Sequence, residues 1–315
     1  MSESQTPAPV TDWQTDLDHF DPRFIQDPYP IYAELRDQCP VAHSDRYNGM
    51  NWITRAADVA DAAHNTAVFS SRRVTINEVP TDRPGLPLPP INLDPPDHTE
   101  RRRLLLPFFS PKATARWEET IRGICRQLLE GLEGRTEIDA AIEYAQEIPG
   151  DITARMLGVP TADGPMFRHW LHELLEVGPN NAEVARSTTS AMMQYMLDLI
   201  ERRRTEPDQG DLVTFMLSQE IDGSQLSDDE IARTLFLLLI AGIDTTWSAI
   251  GFSLLHLSQN PQDRQRIIDD PAVIGTLLAI IYTIASFAQI VVGRLIDKVA
   301  FKPLQFWISV IQIPL

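Results

Sequence analysis

The chain has 315 residues, enough for one large domain or two domains of ordinary size. Its net charge of −17, from 27 basic and 44 acidic residues, argues against nucleic acid as the main partner because phosphates would be repelled. A hydrophobic fraction of 43% is sufficient for a substantial core. The two cysteines are too few for a disulfide framework and favour a reducing compartment.

The first hundred residues predict a small mixed region. Residues 1–11 have neither the basic nor the apolar stretch of a signal peptide, so we expect a short disordered leader there. Asn48-Gly49 suits the positive φ angles of a hairpin turn between two short strands. The expected elements are a helix over 27–38, strands over 41–44 and 50–54, a helix over 55–64 and a proline-rich loop over 70–96.

From residue 97 the pattern is mostly helical. The best start signal is Ser227, a capping residue followed three positions later by Glu230 and then by an apolar run. The chain contains no internal repeat and no glycine-rich phosphate loop. The expected helices cover residues 98–108, 113–132, 142–157, 165–176, 182–204, 212–219 and 227–258.

The composition changes near residue 271. Residues 271–293 carry no charge and are long enough to span a bilayer as a helix, whereas the uncharged run 303–315 is too short. The basic loop between these runs favours a cytoplasmic location for the loop. A membrane-spanning helix over 271–293 would then place residues 1–270 on the outer side, although the chain has no export signal. This conflict argues against a functional membrane anchor.

A first motif runs through a predicted helix start, Asp94-Pro95-Pro96-Asp97-His98-Thr99-Glu100-Arg101-Arg102. His98 and Arg102 are four residues apart and so share one helix face. Such a pair suits an anionic group such as a carboxylate. The alternative is an ordinary capped helix with a solvated run of charges.

A second motif lies in the long apolar helix, Ala241-Gly242-Ile243-Asp244-Thr245-Thr246. Polar groups in such a setting cost free energy unless they are paired or used. Two alternatives to a functional role are a core helix with satisfied polar side chains and a membrane-spanning helix.

Together these motifs resemble the cytochrome P450 family, over residues 12 to about 273. The resemblance implies that His98 and Arg102 hold the propionates of haem b and that Ala241 and Gly242 let the helix pass close to the haem face. It implies further that Asp244 and Thr245 deliver protons to dioxygen bound there. Residues 70–96, 165–180 and 235–245 would line a pocket for a small apolar organic substrate, and a ferredoxin or reductase would supply electrons. Weaker matches to bacterial members are Asp21-Pro22, Asp27-Pro28-Tyr29-Pro30 and Val68-Phe69-Ser70-Ser71.

The sequence departs from the family after Thr246, where there is neither a cysteine nor a glutamate. The family's ExxR motif and its iron-ligating cysteine therefore have no counterpart, and no metal ligand is assigned. Cys39 and Cys125 stand too early to be the ligand. Glu119 and Arg122 fit ExxR in letters only. His169 and His172 lack a third ligand.

Residues 293–298 resemble the loop of major facilitator transporters, Gly-Arg-Leu-Ile-Asp-Lys. The expected organisation is a leader over 1–11, a partial P450 domain over 12–273 and a transporter-like tail over 274–315. This pattern suggests a truncated and chimeric reading frame joined near residues 271–275.

The sequence thus predicts a mainly α fold, the first two-thirds of a P450-like helical array with a small β-hairpin and a transmembrane-like tail. The expected function is that of a haem monooxygenase by descent, cytoplasmic and inactive in this form, with membrane contact through the tail as an open question. Two alternatives are a fragment of a membrane transporter and a non-catalytic protein that binds haem or another ligand. A misfolded gene remnant is a further outcome, because an apolar tail and an incomplete core favour aggregation.

Overall fold

The computed structural model describes residues 8–46, 49–72, 87–178 and 181–270. These residues fall into two compact units, one before residue 86 and one from there to residue 271. The structure is mainly helical, as expected, with two small hairpins.

The N-terminal unit is built around a small apolar cluster. Leu17, Leu35 and Ala42 have no solvent exposure, and Ile31 is buried beside them. The predicted hairpin is confirmed, with Val41 opposite Ile53. The elements of this unit are α1 (Pro22–Gln26), α2 (Pro28–Gln38), β1 (Val41–Ser44), β2 (Met50–Ile53) and α3 (Ala56–His64).

The start of the described chain is held in place. Val10 is only 3% exposed, its N–H donates to Asp21 at 3.2 Å and its carbonyl accepts from Arg23 at 2.6 Å. The disordered leader expected over 1–11 therefore does not extend to Val10, because backbone hydrogen bonds and apolar burial fix this residue. Gly49 has the expected positive φ of 81°, while Asn48 lies outside the described residues.

The second unit is a helical array. Its N-terminal helices are α4 (Asp97–Leu105), α5 (Pro111–Ala115), α6 (Glu118–Gly131) and α7 (Glu147–Leu157). They are followed by α8 (Gly164–His172), α9 (Ala182–Thr205), α10 (Leu212–Leu217), α11 (Asp228–Gln259) and α12 (Pro261–Asp269). A hairpin of β3 (Glu220–Ile221) and β4 (Ser224–Gln225) precedes α11.

The longest helix, α11, forms the centre of this unit and packs against α7 and α9. It starts where predicted, because the Ser227 hydroxyl accepts the N–H of Glu230 at 3.2 Å. Leu235, Leu239 and Ile243 of α11 are completely buried. They lie in one hydrophobic core with apolar residues from α4, α7, α8, α9 and α10.

Several predicted helices are subdivided. The helix expected over 113–132 is two helices, since Ser110 and Pro111 begin α5 and a new helix begins at Glu118. π-helical turns at Ala141–Ala145 and Glu173–Val177 overlap the start of one further predicted helix and the end of another. The sequence prediction missed α1, α12 and the β3–β4 hairpin, whose two-residue strands are too short for an alternating pattern.

Among the residues that the structure describes, α11 is the one helix long and apolar enough to cross a membrane. Its fully buried residues all lie between Ile231 and Ile243, where they pack into the protein core. This half of α11 therefore packs into the core of the protein. The predicted span 271–293 and the rest of the tail lie outside the described residues.

Candidate functional site

Helix α4 carries the first predicted pair. His98 is partly buried and Arg102 is exposed, one helical turn apart. The helix begins at Asp97, and the His98 N–H donates to the carbonyl of Asp94 at 3.0 Å. Acidic Asp97 and Glu100 occupy its first turn, where they interact favourably with the helix dipole. A histidine and an arginine on one turn can together bind an anionic group.

Helix α11 carries the second predicted group. The Thr245 hydroxyl donates to the carbonyl of Ala241 at 2.7 Å, the back-bonding expected of a threonine within a helix. The helix continues without interruption from Asp228 to Gln259. Thr246, the next residue, is exposed.

Asp244 is partly buried beside Thr245, and its environment raises its pKa above the usual value of 3.8. The larger cause is desolvation, and the second is the negative charge of Glu176. Glu176 belongs to the π-helical turn after α8 and is paired with His172 Nδ1 at 3.0 Å. Asp244 therefore retains a proton to higher pH than an exposed aspartate does.

Ala241 and Gly242 are exposed on α11, so this part of the helix presents little side-chain bulk. A Cβ added at Gly242 would lie 3.7 Å from Thr153 Oγ1, which is an ordinary contact. An alanine would thus fit at this position in the structure, and contact with α7 does not require glycine.

All six predicted residues, on α4 and α11, lie in the second compact unit. The two helices are joined by an ion pair in which Arg101 Nε donates to Glu230 Oε1 at 2.8 Å. Sequence reasoning assigned no role to Arg101 or Glu176, and it used Glu230 only as part of the start signal of α11. A separation of 129 residues leaves no short-range pattern by which the first pair could be found.

The residues that sequence analysis set aside as chance matches make ordinary local contacts. Arg122 pairs with Glu118 and not with Glu119 of the ExxR-like letters. His169 lies 3.5 Å from Glu173 on the same helical stretch. No group of three or more His, Cys, Asp or Glu side chains that could hold a metal is found within the described ranges.

Each of the two cysteines makes a hydrogen bond within its own compact unit. Cys39 Sγ donates to the carbonyl of Val41 at 3.3 Å in the N-terminal unit. Cys125 on α6 is hydrogen-bonded with Tyr144, and desolvation together with this thiol raises the pKa of Tyr144 to about 12. Both thiols are therefore engaged in local contacts.

Comparison with known proteins identifies the family. The cytochrome P450 family model matches residues 167–274. The chain is 36% identical over 262 residues to the vitamin D(3) 25-hydroxylase of Pseudonocardia autotrophica, covering 82% of this chain and 64% of that protein. It is 33% identical over 271 residues to cytochrome P450 107B1 of Saccharopolyspora erythraea, covering 82% and 66%. The chain thus spans somewhat less than two thirds of the length of these relatives.

Solved structures agree with these relatives. Cytochrome P450 CYP109Q5 from Chondromyces apiculatus superposes with a TM-score of 0.70 at 31% identity, covering 81% of this chain and 64% of that one. The polyketide synthase cytochrome P450 PksS of Bacillus subtilis superposes with a TM-score of 0.72 at 26% identity, covering 82% and 66%. The helical array is therefore that of a cytochrome P450, and the chain belongs to this family.

Proposed function

We propose that this chain carries the haem-binding and oxygen-activating helices of a monooxygenase that inserts one atom of dioxygen into a small apolar organic substrate. The observation that carries the proposal is the acid and alcohol pair Asp244–Thr245 on α11, in the same compact unit as His98 and Arg102 of α4. The relatives, which include a hydroxylase, support this class of reaction.

The side chains of this structure fit haem b, the cofactor of the family, at its two acidic groups. His98 and Arg102 can both donate hydrogen bonds to propionates, and a guanidinium matches a carboxylate in geometry. No hydrogen bond engages the His98 ring within the described part of the chain. Ala241 and Gly242 are exposed and small, which suits the approach of a planar ring to α11.

Haem, when bound, supplies the redox chemistry by which one oxygen atom reaches the substrate. The chain's own contribution is the handling of protons. Because burial and Glu176 raise its pKa, Asp244 can hold a proton that a solvated aspartate would release. Thr245 can pass a proton on when its hydroxyl rotates away from the Ala241 carbonyl.

The thiolate that ligates the iron in this family has no counterpart beside the two motifs in these 315 residues. Their only cysteines are Cys39 and Cys125, both engaged elsewhere. For this polypeptide we therefore propose haem held through His98 and Arg102, without a thiolate and with little or no monooxygenase activity.

Further parts of the proposal concern partners and location. A ferredoxin or reductase would supply electrons, and the P450 part would be cytoplasmic. The family match ends at residue 274, which supports a boundary of the P450 domain near 273. The proposed transporter-like tail would be joined to this domain near residues 271–275. Membrane contact through the tail is tested by separating the soluble and membrane fractions of cells that express the full chain. Sequencing the native gene across this position tests the junction.

The absorption spectrum of the purified chain titrated with haem, then reduced and exposed to carbon monoxide, tests the function. We expect a haem complex without the red-shifted band of thiolate ligation. In the paired variant H98Q/R102Q, we expect haem binding at least about tenfold weaker, because two donors to the propionates are lost. Arg103→Gln is the matched control, since Arg103 is exposed on the same helix.

Three results would contradict the proposal. Equal haem affinity in H98Q/R102Q and Arg103→Gln would remove the propionate assignment. A thiolate band would mean that Cys39 or Cys125 reaches the iron, and the variants Cys39→Ser and Cys125→Ser would identify which one. Product formed with an electron donor would overturn the prediction of inactivity.

A further inference from the structure

The contact between α4 and α11 is an ion pair shielded from solvent. Arg101 Nε donates to Glu230 Oε1 at 2.8 Å, and the two side chains are only 25% and 19% exposed. Arg101 Nη1 also lies 3.5 Å from Asp97 and 3.6 Å from Glu100. The guanidinium thus lies among carboxylates from both helices. A lysine, with a single point charge, would contact these carboxylates less well.

The backbone of Glu230 is held at the start of α11 by a hydrogen bond. Its backbone N–H is bound by the Ser227 hydroxyl at the helix start, in the first turn of the helix. The helix then continues without interruption to Thr245, which lies 15 residues further on, or about 22 Å at 1.5 Å per residue. Because a continuous helix is stiff, whatever holds Glu230 also sets the position of Thr245 along the helix axis.

Helix α4, by contrast, is weakly anchored by apolar packing. Leu105 at its C-terminal end is its one buried residue and is still 8% exposed. The first two turns carry His98 and Arg102, and no side chain caps the helix start at Pro96. Arg101 lies between His98 and Arg102 in sequence. Its ion pair therefore holds the part of α4 that has the least apolar packing.

The next turn of α11 holds the chain that leads into α4. Arg233 Nη1 donates to the carbonyl of Pro87 at 3.1 Å. The segment from Pro87 is itself tied by a hydrogen bond from the Leu88 N–H to Asn92 Oδ1 at 2.6 Å. The first two turns of α11 thus contact both α4 and the segment before it.

We propose that the Arg101–Glu230 ion pair is a positioning device that sets the propionate-binding turn of α4 against the proton-handling turn of α11. The inference rests on the proposed function, since it assigns His98 and Arg102 to the haem propionates. Arg101 and Glu230 touch neither haem nor substrate in this proposal, and they act through the two helices that they join.

The first test measures haem affinity of the full chain by titration, with Arg101→Gln, Glu230→Gln and the double variant. Each single variant is expected to bind haem about tenfold more weakly, a change equivalent to about 1.4 kcal/mol. The double variant should be no weaker than the weaker single variant, because the second substitution removes a contact already lost. Arg103→Gln on the same helix is the control, and circular dichroism verifies that every variant is folded.

The second test needs no haem. Spin labels at Thr99→Cys and Leu255→Cys, both exposed positions, in a chain with Cys39→Ser and Cys125→Ser, report the distance between α4 and α11. We expect a narrow distance distribution with the native pair and a broader or shifted one with Glu230→Gln. The Arg103→Gln background should leave the distribution unchanged.

The outcomes separate the two proposals. An unchanged distance distribution in Glu230→Gln, or haem affinity equal to that of Arg103→Gln, would overturn the positioning role. If the native chain binds no haem but the distance changes as expected, the positioning of α4 by the pair stands and the haem-binding function fails.

Discussion

At the scale of single residues, Asp244 shows how the environment of a carboxyl group raises its pKa and so favours its protonated form. Desolvation disfavours its carboxylate, and the charge of Glu176 acts in the same direction. The native state therefore binds a proton at Asp244 more readily than the unfolded chain does. Linkage then requires stability from this residue to be fully present below the usual pKa of 3.8 and to be lost as pH rises through the raised native pKa.

Asp244→Asn is accordingly expected to raise the free energy of unfolding at pH 7, because the amide carries no charge to be desolvated. The gain should shrink as the pH falls and vanish below about pH 4, where the carboxyl group is protonated in both the native and the unfolded state. Urea denaturation of both proteins between pH 4 and 8 measures this difference. Glu176→Gln should reduce the pH dependence, since it removes the second cause. A difference that does not vary with pH would contradict the argument.

Gly158 has a backbone conformation and surroundings that favour glycine over any other residue. It ends α7 with a φ of 69°, a left-handed conformation that suits glycine. A Cβ here would overlap the Asp211 carboxylate and lie 2.6 Å from Arg203 Nη2. Arg203 and Asp211 are themselves almost completely buried, and Arg203 also donates to the Gly158 carbonyl at 2.8 Å.

Gly158→Ala should therefore destabilise the protein by on the order of 3 kcal/mol, from backbone strain and from displacement of a buried ion pair. Gly123→Ala is a suitable control, because Gly123 lies within α6 and a Cβ there meets nothing within 4 Å. That control should be neutral or stabilising by up to about 1 kcal/mol. Thermal or urea denaturation measures both, and equal effects would show that the contact at Gly158 relaxes without cost.

At the scale of elements, α11 has two different halves. Its first half contributes Leu235, Leu239 and Ile243 to the core, with no solvent exposure. Its second half contains no fully buried residue, and Phe252 and Leu255 are about half exposed. Apolar composition alone cannot distinguish the halves, since the whole helix is apolar enough for a membrane span.

Truncation of one leucine in each half measures this asymmetry. Leu239→Ala should lower the free energy of unfolding by about 2–5 kcal/mol, because it leaves a cavity in a packed core. Leu255→Ala, at a side chain 50% exposed, should cost about 1 kcal/mol or less. Chemical denaturation of both variants in solution checks this prediction. Similar costs at the two positions would mean that the second half of α11 is as buried as the first.

At the scale of the whole molecule, length and charge restricted the function without defining it. A net charge of −17 was enough to set nucleic acid aside as a main partner. Family membership came from two short motifs, one on α4 and one on α11, and the relatives then bore it out over 82% of the chain. These motifs are detectable because each is compact in sequence and carries chemistry that few helices need.

The sequence by itself determined what local physics specifies. It predicted the mainly α class, the β1–β2 hairpin and the start of α11, since Ser227 and Glu230 are three residues apart. Only the tertiary structure decided the roles of Glu176 and of the Arg101–Glu230 pair. Long-range burial and charge raise the pKa of Asp244, and an ion pair across 129 residues forms only when two helices meet. Such interactions depend on the packed arrangement, which no short sequence pattern encodes.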